Sequence, residues 1–250
     1  MIRRQLKRIL QGKVPAFLYR KIAGLKGLAQ WPPVGMVRFG DLRNLEPLDR
    51  NFGFRRGKPV DRYYIEKFLA IHSEDIRGRV LEIYDNEYTL RFGGSRVTQS
   101  DILHKTSGNP KATIVADLTE ADHIPAGAFD CIIFINTLQY IYFMEKAVRT
   151  LYRILKPQGT LLATLPGISK ISREDQPQWG EYWRFTEDSA RLLFSPVFSP
   201  PDLHQVQTFG NVLSSIAFLH GLAAEDIAPE ELDYRDKDYQ MIIGVRAKKS

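Results

Sequence analysis

The chain predicts an alternating α/β fold: a largely parallel sheet with helices on both faces and a last strand that pairs antiparallel at or near an edge. Three observations predict it. Five short apolar segments lie between residues 79 and 166, separated by polar or helical stretches. Most are apolar runs without strict alternation, as strands covered on both faces are. With 250 residues, 44% apolar and 11% aromatic, the chain can bury a full core in one domain with extensions.

The elements follow in order. Residues 1–29 hold eight Lys or Arg and no Asp or Glu, so the net charge of +6 belongs to one end of the chain. Ile2, Leu6, Ile9 and Leu10, then Phe17, Leu18, Ile22 and Leu25 beyond Pro15, recur at helical spacing and predict two short basic amphipathic helices. Such segments suit an anionic membrane surface, where each basic residue adds about 1 kcal/mol, or a protein partner, or packing on the body with a solvated basic face. Nucleic acid is not indicated, because no aromatic and basic interleaving accompanies the charge. Residues 30–60, rich in Pro, Gly and Arg, predict an ordered connector. The expected division is therefore a basic extension and connector over 1–60 and an α/β domain over 61–250.

"VDRYYIEKFLAIHSEDI" predicts a helix with Tyr64, Phe68, Leu69 and Ile71 on one side and Asp61 as N-cap. The strands are expected at "RVLEIY" (79–84), "RVTQSDI" (96–102), "ATIVADL" (112–118), "FDCIIFI" (129–135) and "GTLLATLP" (159–166). Only residues 85–96 join the first two, near the lower limit for a parallel crossover, so its helix must be short. In "YFMEKAVRTLYRILKPQG", Ala147, Leu151, Ile154 and Leu155 form one helical face, and "KPQG" ends it. Thr186 is placed to cap a helix over "EDSARLLF". "NVLSSIAFLHGLA" predicts a further helix and "YQMIIGVRAKK" (239–249) the last strand.

Cys131 is the single cysteine, which excludes an internal disulfide framework and a cysteine-rich metal site and fits a reducing, cytoplasmic compartment. No run reaches the roughly 18 apolar residues of a membrane span, and the first residues lack the apolar centre of a secretory signal. The expectation is a cytoplasmic protein, soluble or peripheral to the inner face of a membrane. The five histidines lack ligand spacing, so no metal is expected.

Four landmarks follow in sequence: "LEIYDNEY", "VTQSDI", "ADLTEADHIPAGAFDCII" and "LYRILKPQGTLLATLP". In these the chain resembles the class I S-adenosylmethionine-dependent methyltransferases, the type 11 group in particular, over about residues 78–167 with a looser continuation to 249. "RGKPVDRYYIEKFL" and "WGEYWRFT" further resemble methyltransferase-like proteins of bacterial glycan assembly. The resemblance implies a Rossmann-like, doubly wound, mostly parallel sheet of seven strands with one antiparallel strand in the edge region. It implies S-adenosylmethionine as cofactor and methyl transfer to a small-molecule or glycan acceptor.

It also implies roles for residues. Glu82 would hold the cofactor's methionine end, with Tyr84 and Asn86 in the loop that follows. Asp101 would accept from the ribose hydroxyls, Asp117 and Leu118 would meet the adenine, and Asn136 would border the cofactor. The acceptor would enter near Asn136, Gln139 and Tyr140. Trp179, Tyr182 and Trp183 would stack on a sugar or face a cation, and Arg184 would hold a phosphate or carboxylate. His123 is the candidate base. Each has a structural alternative: Glu82, Asp101 and Asp117 as caps or turn residues, the aromatics as loop anchors, Arg184 paired with a local acid, His123 on the surface.

The loop after the first strand departs from the family, whose glycines there allow a tight turn and a close backbone approach. Asn86 can enter the left-handed region, whereas Tyr84 and Tyr88 pay for it. Three outcomes are open: "FGG" at 92–94 supplies the flexibility, the tyrosine rings help build a new pocket, or they fill it. The last makes the protein a non-catalytic scaffold or binding module in glycan biosynthesis. A nicotinamide-dependent oxidoreductase is disfavoured, because no GxGxxG follows the first strand.

Overall fold

A computed structural model describes residues 32, 35–199, 203 and 205–250. The two basic amphipathic helices expected before residue 26 lie outside the described residues. Two compact units are separable, Met1–Leu45 and Glu46–Ser250. In the first, the described structure is a single 3-10 turn at Gly40–Leu42. All other described structure belongs to the second, which begins at Glu46.

Residues 46–60 join the second unit through backbone bonds that their sequence hides. The amides of Leu48 and Asp49 donate to the carbonyl of His220, at 2.8 and 3.2 Å. Asp49 is buried, and its carboxylate accepts from the amides of Asn51, Gly53 and Arg55. Burial alone would raise the Asp49 pKa; these three bonds outweigh it and hold the group below the usual carboxylate range.

Seven strands form one sheet: β1 (Gly78–Ile83), β2 (Val97–His104), β3 (Ile114–Val115), β4 (Phe129–Ile135), β5 (Leu155–Pro166), β6 (Gln205–Phe209) and β7 (Ile242–Lys248), in the spatial order β3-β2-β1-β4-β5-β7-β6. β1 to β5 pair in parallel, and β7 runs antiparallel between β5 and β6. The Rossmann-like, mostly parallel sheet of seven strands is as expected. β6, "QVQTF", is five residues with only two apolar positions, too weak a pattern to announce a strand, and β7 covers its inner edge.

Helices cover both faces. α1 (Val60–Ile71) and α5 (Val212–His220) pack with α6 (Pro229–Asp233) on one side, where Tyr64, Phe68, Leu69, Phe218 and Leu232 meet Val80, Ile133 and Leu162. α2 (Met144–Ile154) and α4 (Glu187–Phe194) cover the other, with Ala147, Leu151, Ile154 and Phe194 against Leu81, Ile132 and Phe134. α3 (Gln176–Trp179) is a single turn in the segment after β5. Thr186 caps α4 with a reciprocal Ser189 bond, as its position predicts.

Several boundaries differ from expectation: β3 is only Ile114–Val115 within the expected 112–118, and β7 is Ile242–Lys248 within 239–249. Pro59, not Asp61, is the N-cap of α1; Asp61 lies inside the first turn, where its carboxylate bonds the Arg62 amide. Leu155 opens β5 instead of closing α2, and the strand absorbs "KPQG", with Gln158 at φ 67°. β2 runs on to His104, two residues beyond the expected end.

Gly244 on β7 faces α1, and a Cβ there would stand 2.6 Å from Cδ2 of Phe68, whose ring is fully buried. We expect Gly244→Ala to force that ring aside and cost about 1–3 kcal/mol, read as a lower urea midpoint at unchanged m-value. An unchanged midpoint would mean that α1 shifts freely on the sheet.

Candidate active site

The carboxyl ends of the parallel strands place their loops on one edge of the sheet, and the first of these loops is built around Glu82. Glu82 is next to last in β1 and 3% exposed. Its Oε2 accepts from the Thr89 amide at 2.8 Å and the Thr89 hydroxyl at 2.7 Å, and its Oε1 from the Tyr88 amide at 3.3 Å. These amides belong to a helical turn that runs into a π-helical segment, Thr89–Gly93, whose first N–H groups have no partner within the turn. The carboxylate therefore caps this turn, the structural alternative for Glu82. Burial pushes its pKa up to about 7, against the opposing pull of the Thr89 bonds.

Tyr84, expected to resist the left-handed region, adopts it at φ 77°. Its amide donates to the Leu103 carbonyl at 3.0 Å, and its own carbonyl accepts from Asn109 Nδ2 at 2.6 Å. Held on both sides, it bears a backbone cost of about 1–2 kcal/mol. Asn86, the residue suited to that region, does not take it; its Nδ2 donates to Ser100 Oγ at 3.0 Å. The Tyr88 phenol accepts from Arg62 Nη1 at 2.9 Å. The Tyr84 ring is 66% exposed, so neither phenol fills the space above the sheet.

That space is a cleft of about 1060 Å³. It is lined by Glu82 near the end of β1 and Tyr84 just after it, His104 and Lys105 at the end of β2, Asp117 and Leu118 after β3, and Asn136 after β4. Gln139, Tyr140, Trp179 and Tyr182 also line it. Five expected residues do not. Asn86 turns to Ser100. Asp101 stands three residues before the end of β2, buried, bonded to Arg79 Nε at 2.7 Å, Thr113 Oγ1 at 3.0 Å and Gln99 Nε2 at 3.1 Å. His123 is exposed, with Nε2 3.3 Å from the Val115 carbonyl. Trp183 Nε1 donates to the Ile141 carbonyl at 3.1 Å and its ring packs on the core, which makes it a loop anchor. Arg184 pairs with Glu181 at 2.6 Å and bonds the carbonyls of Trp183 and Lys170.

His104 and Lys105 take the place expected for Asp101. The His104 ring is buried, with Nδ1 2.7 Å from the Thr106 carbonyl, and lies edge-on to Trp179 at 5.5 Å and tilted to Tyr84 at 5.9 Å. Lys105 pairs with Asp117 at 3.0 Å. Asp117 also accepts from the Thr119 amide and hydroxyl, and although burial opposes it, these bonds and Lys105 lower its pKa.

The far lobe, past the end of β4, is aromatic. Tyr142 and Tyr182 meet edge to face at 5.4 Å, each at least half exposed. The Tyr140 hydroxyl donates to Asp175 Oδ2 at 3.1 Å, as the Ser172 hydroxyl does at 2.7 Å. Burial, then the Asp175 and Glu181 charges, raise the Tyr140 pKa above its ordinary range. Gln139 is 4% exposed, and among the described residues its Oε1 has no hydrogen-bond partner. A buried acceptor of this kind calls for a donor, from an ordered water or a ligand. Among the described residues, no group of three or more His, Cys, Asp and Glu is arranged to hold a metal ion.

Comparison with known proteins adds the family. A family model described as "Methyltransferase domain" matches residues 43–208, well over half of the chain. The ubiquinone/menaquinone biosynthesis C-methyltransferase UbiE of Yersinia enterocolitica is 27% identical over 175 residues, covering 62% of this chain. The match spans 66% of that relative's own length. A SAM-dependent methyltransferase from Archaeoglobus fulgidus superposes with a TM-score of 0.51 at 11% identity, covering 75% of this chain and 94% of its own. The [4+2]-cyclase SpnF superposes at 0.52 with 14% identity, covering 82% and 86%. At such identities these two structures speak for the fold alone.

The Glu82 shift predicts a pH effect. Its folded pKa of about 7 lies above the ordinary 4.5, so the folded state binds this proton more tightly than the unfolded one. Its contribution to stability is complete below pH 4.5 and is lost as pH rises through about 7. We expect the difference in melting temperature between the wild type and Glu82→Gln to change across pH 4.5–7, with the wild type losing ground as pH rises. A difference that stays constant over that window would contradict this.

Proposed function

The chain belongs to the methyltransferase-domain family of S-adenosylmethionine-dependent enzymes, and we propose that it transfers a methyl group to a small-molecule acceptor held in the aromatic lobe of the cleft. The single observation that carries this reading is the open cleft of about 1060 Å³ over the strand ends. It is large enough for a nucleoside cofactor and an acceptor together, because Tyr88 is taken up by Arg62 and Tyr84 stands aside.

The residues present fit the cofactor in part through new contacts. Asp117 would accept from the exocyclic amine of the adenine while Leu118 packs on the ring, and His104 would border the ribose where the family places an acid. S-adenosylmethionine, when bound, supplies a methyl group activated by its sulfonium. The chain's own task is then alignment. Gln139 would accept an N–H or O–H bond from the acceptor. Tyr140, kept protonated by burial and by the neighbouring carboxylates, serves as a positioning group and not as a base. The faces of Tyr142 and Tyr182 suit a sugar ring, which favours a glycan among small acceptors. Residues 1–29, by their sequence, would bring the enzyme to an anionic membrane surface or a protein partner. Among the described residues no helix is long and apolar enough to cross a membrane.

Calorimetric titration with S-adenosylhomocysteine tests the reading. We expect a dissociation constant below about 100 μM and a raised melting temperature at millimolar ligand. Asp117→Ala should weaken binding about 10-fold, the loss of one charge-assisted hydrogen bond. Asp101→Asn should instead cost about 1–3 kcal/mol of stability and leave the affinity unchanged. Absence of both heat and thermal stabilisation would overturn the reading.

A further inference from the structure

The charged residues of α1 divide into two groups. Glu66 is neutralised twice, by Lys58 at 2.5 Å and by Arg91 at 2.9 Å, and Lys67 pairs with Asp233 at 2.5 Å. Among the described residues Asp61 and Arg62 form no direct ion pair. Asp61 is 9% exposed; its Oδ1 accepts from the Arg62 amide at 2.7 Å, and its carboxylate also takes its own backbone amide. Arg62 is half-buried and spends one of its five N–H donors, from Nη1 to the Tyr88 hydroxyl. Both line the cleft.

A buried carboxylate without a direct ion pair is costly: burial raises the Asp61 pKa although the nearby Arg62 and Lys170 cations pull it down. Its neighbour is a guanidinium with free donors in the same cleft. An acid and a base side by side in the cleft wall, neither in a direct ion pair among the described residues, fit a ligand that brings both opposite charges on one carbon. That description is an α-amino acid group, whose ammonium offers three donors and whose carboxylate accepts two parallel N–H bonds from a guanidinium.

Glu82, the residue the family resemblance assigns to this end of the cofactor, is largely used up. Its Oε2 already accepts two bonds and its Oε1 one, all from the loop it caps. We propose that in this protein the α-amino acid end of the cofactor is held by Asp61 and Arg62 at the start of α1, Asp61 meeting the ammonium and Arg62 the carboxylate. The proposal rests on the methyltransferase reading above, since it needs the cofactor in the cleft. No covalent step is involved.

The test compares two ligands that share the adenosine and sulfur but differ in the amino acid end: S-adenosylhomocysteine, which has it, and 5′-methylthioadenosine, which lacks it. Calorimetry on the full chain should show that Asp61→Asn and Arg62→Gln each weaken S-adenosylhomocysteine about 10- to 100-fold while leaving 5′-methylthioadenosine within about 2-fold. Melting curves confirm that both variants fold; if Arg62→Gln does not, the isosteric Asp61→Asn decides alone. Equal losses for both ligands, or no loss for either, would overturn the assignment. So would a wild type that binds the two ligands equally, although the cofactor reading would then stand. A wild type that binds neither would overturn that reading and this proposal together.

Discussion

The buried carboxylate of Glu82, bonded to Thr89 and Tyr88, fixes the path of the chain from β1 to β2, and the floor of the cleft follows from that path. Where glycines would let a backbone turn under a cofactor, a side chain from the strand below gathers the first amides of a π-helical turn. The turn is short because few residues are available, and its π-helical segment, bonded i→i+5, takes up more residues per turn than an α-helix would. Tyr84 is then held at positive φ by bonds from both flanks, with its ring turned outward. The strain is local, and the surrounding bonds over-determine it.

The same loop explains why charges moved. Once Glu82 serves the backbone, it has little capacity left for a ligand. β2 extends to His104, so the acid expected at its end lies inside the strand and is satisfied by Arg79, Thr113 and Gln99. The cleft retains anionic character near its start through Asp61 and, further along, through Asp117 beside Lys105. Its far lobe is aromatic, with one buried amide oxygen unmatched.

Much of this was legible in the sequence. The five parallel strands and the long helices are written in apolar runs, because burial on both faces demands them. The identity of the fold was carried by four spaced landmarks and not by any one. What escaped were facts of register. Ile102 and Leu103 continue the apolar run past Asp101, which was the available signal that β2 goes on. The partition of Asp61 from Glu66 could not be read, since all the acids of α1 look alike until their partners across the fold are known. Asp49 organises residues 46–60 by accepting backbone bonds, a role that composition does not reveal. Within "WGEYWRFT", Trp183 anchors the loop and Arg184 pairs with a local acid, while Trp179 and Tyr182, the latter adjacent to Trp183, line the cleft.

Trp179 lies edge-on to the His104 imidazole at the lip of the cleft, whereas Trp183 is fixed against the Ile141 carbonyl. Two indoles four positions apart thus sit in different surroundings: the first borders the cleft, and the second, tilted against Tyr142 at 5.8 Å, meets the aromatic lobe only through that ring. A planar ring sliding alongside the first would change the surroundings of its fluorescence more than those of the second.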